Sequence, residues 1–254
     1  LHYLDKFDNI DIDGVEVTAG AGVPLIKLST RVSRMGYTGL EFATGIPGSV
    51  GGAVYMNAGA YKSDIGYVLK SAKVITPDLK IKELTNYDLN FHYRTSFLQK
   101  NPGYICISAT FILSKGNADE IMQLIDDRRK RRLESQPLEY PSAGSVFRNP
   151  EGYFAGKLIE DSGLKGKTKG GAMVSDKHAN FIVNYKDAKA SDIKYLIDTC
   201  HDKVLKEYGI DINIITYNSG EAVDSRAFKI VNSVNDNQVV FKKEHYVLIS
   251  KEKT

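Results

Sequence analysis

The segment from residue 45 to residue 61 restricts the fold of this chain more than any other part of the sequence. Small residues dominate it, and its glycines are Gly45, Gly48, Gly51, Gly52 and Gly59. A main chain with so little side-chain bulk can lie directly against a ligand. Pro47 fixes one φ angle, and apolar residues follow, so we predict a shaped loop that leads into a short helix. The N-terminus of such a helix suits a phosphate or an electron-rich ring edge.

The alternative for this segment is a tight turn in which glycines only accommodate unusual φ angles. The length of the segment favours a ligand site over a turn. Two known phosphate loops do not match, because the G-x-G-x-x-G spacing is absent and Asp161 stands where a Walker loop ending at Gly166–Thr168 needs glycine. The sequence therefore predicts neither a Rossmann dinucleotide loop nor a P-loop.

Composition narrows the class of protein. The chain has 254 residues, of which 42% are hydrophobic and 26% charged, as in a folded protein with more than one domain. A net charge of +3 is too small to indicate a nucleic-acid partner, although residues 128–132 are all basic. Cys106 and Cys200 lie in apolar patterns without metal-ligand spacing, which predicts a reduced, cytoplasmic protein without a metal. We find no signal peptide or membrane span in the sequence.

Apolar periodicity predicts most of the regular elements. We expect helices over residues 25–35, 117–133, 152–163 and 191–208, the last capped by Ser191 and Asp192. We expect strands over residues 15–19, 68–76, 81–84, 103–113, 172–174, 181–183 and 210–216, and three more near residues 228–231, 239–241 and 246–249. Residues 1–13 show no such pattern, and we expect the natural chain to continue upstream of Leu1.

Arg94 lies between Tyr93 and Phe97 in a segment that is too polar for a core and too aromatic for a plain loop. One interpretation is a surface arginine stacked on an aromatic ring. The other is a clamp for an anion or an enolate, because a guanidinium holds a carboxylate with two parallel hydrogen bonds. The residues alone do not decide between these two interpretations. The basic run at residues 128–132 is equally open to two interpretations, a solvated helix face and a phosphate contact.

Ser145 follows a glycine in a segment bracketed by Pro141 and Pro150. The G-x-S-x-G elbow is absent, and no His–Asp pair is spaced to activate the hydroxyl, so we do not expect a hydrolase triad. His178 has no second ligand nearby in the sequence, and a lone histidine of this kind is more often structural than catalytic.

In five segments, the chain resembles the UDP-N-acetylenolpyruvoylglucosamine reductase (MurB) family, in its shorter variant. They are residues 45–61, 93–96, 141–150, 154–160 and 178–181, and they occur in the family's order. The resemblance implies an α+β protein with a partial FAD-binding domain of the PCMH type at residues 1–115. It further implies a substrate-binding domain at residues 116–216, and residues 217–254 would form a tail of unknown fold.

This resemblance implies NADPH-dependent, FAD-containing reduction of UDP-N-acetylenolpyruvoylglucosamine to UDP-N-acetylmuramate, in peptidoglycan precursor synthesis. It implies a cytoplasmic monomer without nucleic-acid or membrane partners. Arg94 would stabilise negative charge, and Ser145 would donate a proton to the carbanion, because hydride addition to an enol ether needs both. Tyr93 and Asn149 would contact the substrate together with these two residues. The implied cofactor-binding residues are Gly45, Ile46, Pro47, Gly48, Ser49, Gly51, Gly52, Asn57, Ala58 and Gly59.

Two departures from the family pattern keep alternatives open. The family's first flavin-binding subdomain would precede Leu1. The glutamate near the C-terminus of the family's members is replaced by Ile214 or Ile215 in this chain. A catalytically inactive, nucleotide-sugar-binding remnant is therefore the alternative function. A flavin oxidase that acts on an alcohol is a third possibility, but it explains neither the Arg94 segment nor the Ser145 segment.

Overall fold

The computed structural model describes residues 7–214 and the main chain of residues 229–232 and 239–242. The chain forms two compact units, Leu1–Lys130 and Arg131–Thr254. The predicted strand near residues 246–249 lies outside the described residues, and the other two predicted strands of this region are present. They form an antiparallel pair, β14 (Lys229–Asn232) and β15 (Val239–Lys242).

The first unit is built on an antiparallel sheet of five strands in the order β1-β2-β8-β6-β7. Its strands are β1 (Ile10–Asp13), β2 (Glu16–Gly20), β6 (Leu69–Ile75), β7 (Ile81–Thr85) and β8 (Ile105–Ile112). Short strands are β3 (Tyr37–Thr38), β4 (Gly59–Ala60), β5 (Ser63–Asp64) and β9 (Ser114–Lys115). Its helices are α1 (Leu25–Arg34), α2 (Val50–Met56), α3 (Asn86–Leu89), α4 (Phe97–Lys100) and most of α5 (Ala118–Ser135).

One face of this sheet carries the core of the first unit. Val17 of β2, Phe111 of β8 and Val74 of β6 are fully buried in one cluster with Leu28 of α1 and Val54 of α2. Polar pairs stand between the buried positions, such as the Thr18 and Thr110 hydroxyls at 2.9 Å. This alternation is typical of an antiparallel sheet with one covered face, and it explains why periodicity located the strands. Of the five strands of this sheet, only β1 at residues 10–13 was missed.

The second unit contains a four-stranded antiparallel sheet in the order β10-β13-β12-β11. Its elements are β10 (Ser142–Ser145), α6 (Ala155–Asp161), β11 (Thr168–Lys169), β12 (Ala172–Val174), β13 (Phe181–Asn184) and α7 (Ala190–Tyr208). Apolar residues of α6 and α7 share a core with Phe147 and Val174. The predicted cap of α7 is wrong, because the helix begins at Ala190 and Asp192 lies in its first turn. There the Asp192 carboxylate accepts a hydrogen bond of 2.9 Å from Lys189 N.

The strand predicted over residues 210–216 is also wrong within the described residues, which end at residue 214. Ile210 and Ile212 alternate with polar residues as in a strand, but the chain pairs only through the isolated Phe147–Ile214 bridge. Arg148 N donates a hydrogen bond to Asn213 O at 2.8 Å. Ile212 is fully buried in the core of the second unit, so its apolar character reflects packing rather than a place in the sheet.

Both cysteines carry unreactive thiols. Cys106 lies in β8 and Cys200 in α7, and neither forms a disulfide. Burial raises the pKa of each thiol to about 12, so both stay protonated at neutral pH. Both cysteines thus lie in a strand and a helix, as their apolar sequence patterns predict.

His201 makes the stability of the second unit depend on pH. Its two ring nitrogens each lie 2.9 Å from a carboxylate oxygen, of Asp202 and Asp211, and these hydrogen bonds raise the pKa of His201. A raised pKa stabilises the fold fully below the unfolded value of about 6.5, and this contribution is lost as the pH rises through the folded value. We expect His201→Gln to lower the free energy of unfolding by about 0.2–1 kcal/mol at low pH, as for exposed ion pairs.

Urea unfolding of the wild type and His201→Gln at pH 5.5 and pH 8.5 measures this effect. The difference between the two proteins should disappear at the higher pH and shrink in 1 M salt, since this pair is partly exposed. A difference that is equal at both pH values would contradict the ion-pair assignment.

Candidate functional site

The glycine-rich segment has the shape that the sequence predicts. A 3-10 turn spans Glu41–Gly45, a loop follows, and α2 begins after Ser49, whose hydroxyl accepts a hydrogen bond of 3.1 Å from Gly52 N. Ser49 is an N-cap of the usual kind. Residues 44–48 are at least partly exposed, whereas Ser49 and Val50 are buried. The loop before the helix is therefore one of the parts of the segment that face solvent.

The N–H groups at the start of α2 are already used by the protein. Val50 N donates to Val23 O and Gly51 N to Ala21 O, each at 2.9 Å. Together with the Ser49 cap, these bonds occupy the first N–H groups of the helix. The expectation that this helix N-terminus offers them to a phosphate is therefore not met. In this structure, they instead hold the segment against the end of β2.

The glycines of the segment have different roles. A Cβ on Gly51 would lie 2.9 Å from the Cβ of Ala21, and a Cβ on Gly59 would lie 2.5 Å from Ser63 O. These two positions need glycine because other parts of the protein approach them closely. Gly48 has a φ of 122°, and no described atom lies within 4 Å of the Cβ that it lacks. Gly48 therefore presents bare main chain to open space, as a ligand site requires.

We expect Gly59→Ala to destabilise the first unit, because the added methyl group meets the main chain of the facing strand β5 rather than a flexible side chain. Overpacking of this kind costs about 1–3 kcal/mol. Urea unfolding measures the loss. Ala60→Ser is the matched control, since it changes the adjacent, half-buried residue of β4. Equal stability of Gly59→Ala and the control would show that the two strands separate without cost.

Asn57 supports the segment rather than presenting its amide to a ligand. It ends α2 in the left-handed conformation, with a φ of 43°, and is almost completely buried. Its Nδ2 donates to His92 O, and its Oδ1 accepts from Gly66 N, both at 2.9 Å. The sequence places Asn57 among the cofactor-binding residues, but both ends of its side chain bind the protein's own main chain.

Arg94 lies in a tight turn in which His92 and Thr95 exchange main-chain hydrogen bonds of 3.0 and 3.1 Å. Its Nη2 donates to Gly59 O, and its Nη1 donates to Asn57 O at 3.4 Å. The guanidinium carbon also lies 5.1 Å from the centroid of the Tyr93 ring, which is half exposed. The structure therefore joins the predicted arginine to the end of the glycine-rich segment, and the aromatic stacking that we considered is present as well.

Strained main chain is concentrated around this arginine. Outside glycine, positive φ angles occur at Asn57, Tyr61, Lys62 and Arg94, and at only three other described residues, Leu79, Asn90 and Asp187. Residues held in this region cost free energy and often mark functional sites. Tyr61 is further held by helix α5, because its hydroxyl donates to Arg128 O at 3.1 Å and the Arg128 guanidinium stacks 4.8 Å from its ring.

Ser145 occupies the end of β10 in the second unit. It lies opposite Phe181 of β13, next to an irregularity in the strand pairing and after Gly144, which has a φ of 79°. Ser145 is partly exposed, and its hydroxyl forms no hydrogen bond with another residue of the described chain. Within the described chain, the Ser145 hydroxyl is thus not used in a hydrogen bond that holds the fold together. Asn149, the other predicted substrate residue of this unit, uses its Oδ1 to accept a 3.0 Å hydrogen bond from Ala155 N at the start of α6.

Asn180 is a residue whose role the sequence did not reveal. Its Oδ1 accepts from Phe147 N, and its Nδ2 donates to Phe147 O, both at 2.8 Å and both buried. Its main-chain oxygen also accepts from Val146 N at 2.8 Å. Asn180 therefore clamps the two residues that follow Ser145. The only signal in the sequence was its position in the His178–Phe181 segment.

His178 belongs to the structure around Asn180. Its Nδ1 accepts a hydrogen bond of 3.2 Å from Asn180 N, and its ring lies against Gly156, where a Cβ would be 3.1 Å from Cε1. Burial lowers the pKa of His178, so the ring stays neutral at pH 7. A neutral ring suits the acceptor role of Nδ1 and agrees with the structural interpretation of this histidine.

Among the residues with described coordinates, no group of three or more His, Cys, Asp or Glu side chains is placed to hold a metal ion. None of the helices in the same part of the chain has the length and apolar character needed to cross a lipid bilayer.

Comparison with known proteins gives concordant results. A family model described as UDP-N-acetylenolpyruvoylglucosamine reductase, C-terminal domain, matches residues 136–214, and one described as FAD binding domain matches residues 1–85. The chain is 50% identical over 210 residues to the UDP-N-acetylenolpyruvoylglucosamine reductase of Halalkalibacterium halodurans, a match covering 82% of this chain and 69% of that protein. It is 51% identical over 208 residues to the enzyme of the same name from Anoxybacillus flavithermus, with 82% and 69% coverage.

A solved structure supports the same relationship. The crystal structure of UDP-N-acetylenolpyruvylglucosamine reductase (MurB) from Thermus caldophilus superposes with a TM-score of 0.71. It is 36% identical in sequence, and the match covers 82% of this chain and 73% of that one.

Proposed function

The chain belongs to the UDP-N-acetylenolpyruvoylglucosamine reductase family of FAD-dependent oxidoreductases, and we propose that it reduces UDP-N-acetylenolpyruvoylglucosamine to UDP-N-acetylmuramate with NADPH as hydride donor. We propose that it acts in peptidoglycan precursor synthesis, as a monomer in the cytoplasm, without nucleic-acid or membrane partners. Residues 1–115 would serve FAD binding, residues 116–216 would bind the nucleotide sugar, and no role is assigned to residues 217–254.

The observation that carries this proposal is the attachment of Arg94 to the end of the glycine-rich segment. Its Nη atoms donate to the main-chain oxygens of Asn57 and Gly59, so the cation has a fixed place in the first unit. A fixed guanidinium stabilises developing negative charge better than water does, because it need not reorient during the reaction. Tyr93, whose ring stacks on this guanidinium, would line the same place.

The residues of the first unit fit an isoalloxazine ring. The loop at residues 45–48 is partly exposed, begins and ends with glycine, and presents Gly48 to open space. A flat ring edge can approach such a main chain. The buried start of α2 would support the loop, since its N–H groups bind protein acceptors. FAD bound here would supply the hydride-transfer chemistry, and the protein would supply binding and orientation.

In the second unit, the Ser145 hydroxyl would donate the proton that completes the reduction. It suits this role because it is partly exposed and not held by another described residue. A hydroxyl is a weak acid, so it must lie very close to the carbanion that it protonates. Asn149 would bind the substrate through its amide nitrogen, because its Oδ1 accepts a hydrogen bond from Ala155 N at the start of α6.

A two-step absorbance experiment tests the proposed function. The purified chain with FAD should lose its yellow colour when NADPH is added without oxygen, and it should regain the colour when the enolpyruvyl substrate follows. Mass spectrometry should then detect UDP-N-acetylmuramate. UDP-N-acetylglucosamine is the matched control, because it lacks the enolpyruvyl group and should not restore the colour. Binding of the nucleotide sugar without any flavin would favour the inactive remnant instead.

A further inference from the structure

We propose that Gln99 is a positioning residue that holds Arg94 in its strained main-chain conformation and thereby sets the place of the guanidinium. This inference rests on the proposed function of Arg94. Gln99 lies in the short helix α4, five residues after the arginine, and its Nε2 donates to Arg94 O at 3.1 Å. Arg94 has a φ of 54°, which a residue with a side chain adopts only when neighbouring groups hold it there.

The surroundings of the Gln99 amide define which of its atoms points at Arg94. Three atoms lie around the Nε2 position: Arg94 O, Tyr55 O at 3.2 Å and Met56 Sδ at 3.0 Å. All three are acceptors, so only the amide nitrogen, with its two hydrogens, suits this position. The side chain therefore links the carbonyl of Arg94 to the C-terminal end of α2.

The same helix end receives the guanidinium. The last carbonyls of a helix lack partners within it and need donors from elsewhere. Tyr55 O accepts from Gln99 and also from the Ser96 hydroxyl at 2.7 Å, while Asn57 O and Gly59 O accept from Arg94. The segment that contains Arg94 is thus attached at its main chain by Gln99 and at its guanidinium by the residues just beyond α2. Loss of the Gln99 donor would leave the strained conformation without one of its restraints.

Two substitutions of nearly equal size separate donation from packing. Gln99→Met keeps an unbranched side chain but donates no hydrogen bond, whereas Gln99→Lys keeps a donor at the end of a flexible chain. We expect Gln99→Met to slow the step in which the enolpyruvyl substrate reoxidises the reduced enzyme by about tenfold, the cost of about one hydrogen bond. The rate of reduction by NADPH should stay within twofold of the wild type. Gln99→Lys should restore most of the lost rate.

A double-mutant cycle with Arg94→Ala tests whether Gln99 acts through the arginine. If it does, adding Gln99→Met to Arg94→Ala should not slow the substrate step further. Two outcomes would overturn the proposal: a wild-type rate in Gln99→Met, or effects of the two substitutions that multiply. Multiplied effects would mean that Gln99 supports the fold without acting on Arg94.

A second readout needs neither cofactor nor turnover. The Nε–H signal of Arg94 in a nitrogen-15 correlation spectrum can be assigned from its absence in Arg94→Lys. We expect this signal to move and to exchange faster with solvent in Gln99→Met, and to return toward its wild-type position in Gln99→Lys. An unchanged signal in Gln99→Met would overturn the proposal. If the wild type fails to turn over, the proposed function fails, but this measurement still decides the role of Gln99.

Discussion

Replacement of Ser145 by alanine is expected to slow reoxidation of the reduced enzyme by the enolpyruvyl substrate by about 10²–10⁴-fold, the usual contribution of a positioned proton donor. Reduction by NADPH should proceed at the wild-type rate, because that step needs no proton from Ser145. The structure favours this separation, since the Ser145 hydroxyl is not used to hold the fold in the described residues. Rapid-mixing absorbance measurements of the two steps give both rates.

Ser142→Ala is the matched control for this prediction. Ser142 begins the same strand, β10, is equally half-buried and pairs with the same neighbouring strand, β13. Its removal should leave both rates within a few-fold of the wild type. A loss of equal size in both steps of Ser145→Ala would show damage to the site as a whole and would contradict the proton-donor role.

The second large effect is expected from Asn180→Leu. This change keeps the approximate size of the side chain but leaves Phe147 N and Phe147 O buried without partners. Each of these two buried polar groups costs about 1–3 kcal/mol when it loses its hydrogen bond, so we expect the free energy of unfolding to fall by about 2–6 kcal/mol. Urea unfolding monitored by circular dichroism measures the change.

Asn184→Leu provides the comparison, because Asn184 ends β13, the strand that begins directly after Asn180, but is half-exposed and accepts one hydrogen bond of 2.9 Å, from Ala188 N. We expect it to cost about 1 kcal/mol, the value of one ordinary hydrogen bond. If the two variants were equally stable, the clamp on Phe147 would contribute little. Retained stability with a slower substrate step in Asn180→Leu would instead mean that the clamp orients Ser145 without supporting the fold.

Local patterns were sufficient for most of the fold. Periodicity located four of the five strands of the first sheet and the long helices, because each of them buries one face and its buried residues recur at a regular spacing in the sequence. It failed at residues 210–214, where Ile210, Ile212 and Ile214 alternate as in a strand. There the chain forms only one bridge, and Ile212 packs into the core of the second unit. Alternation reports which residues are buried, not whether a neighbouring strand is present to pair with them.

The candidate site likewise has features that the sequence predicted and features that only the structure shows. The sequence indicated Arg94, Ser145 and the glycine-rich segment as places for chemistry, and it predicted the loop and the short helix that follows. It did not show that the N–H groups of that helix are occupied, because their acceptors belong to a separate segment, at Ala21 and Val23. For the same reason, it assigned Asn57 to the cofactor although its amide binds His92 and Gly66.

By itself, the sequence determined the family of this protein, the residue types available for charge stabilisation and proton donation, and the bare main chain suited to a flat ring. Only the tertiary structure decided which polar atoms the fold consumes. It showed that the Gln99 side chain forms a hydrogen bond with the main chain of Arg94. It also showed that the Asn180 side chain forms one with Phe147, which lies 33 residues away. The physical reason is that a hydrogen bond depends on atoms within about 3 Å of each other, and residues distant in the sequence reach that separation only when the chain has folded.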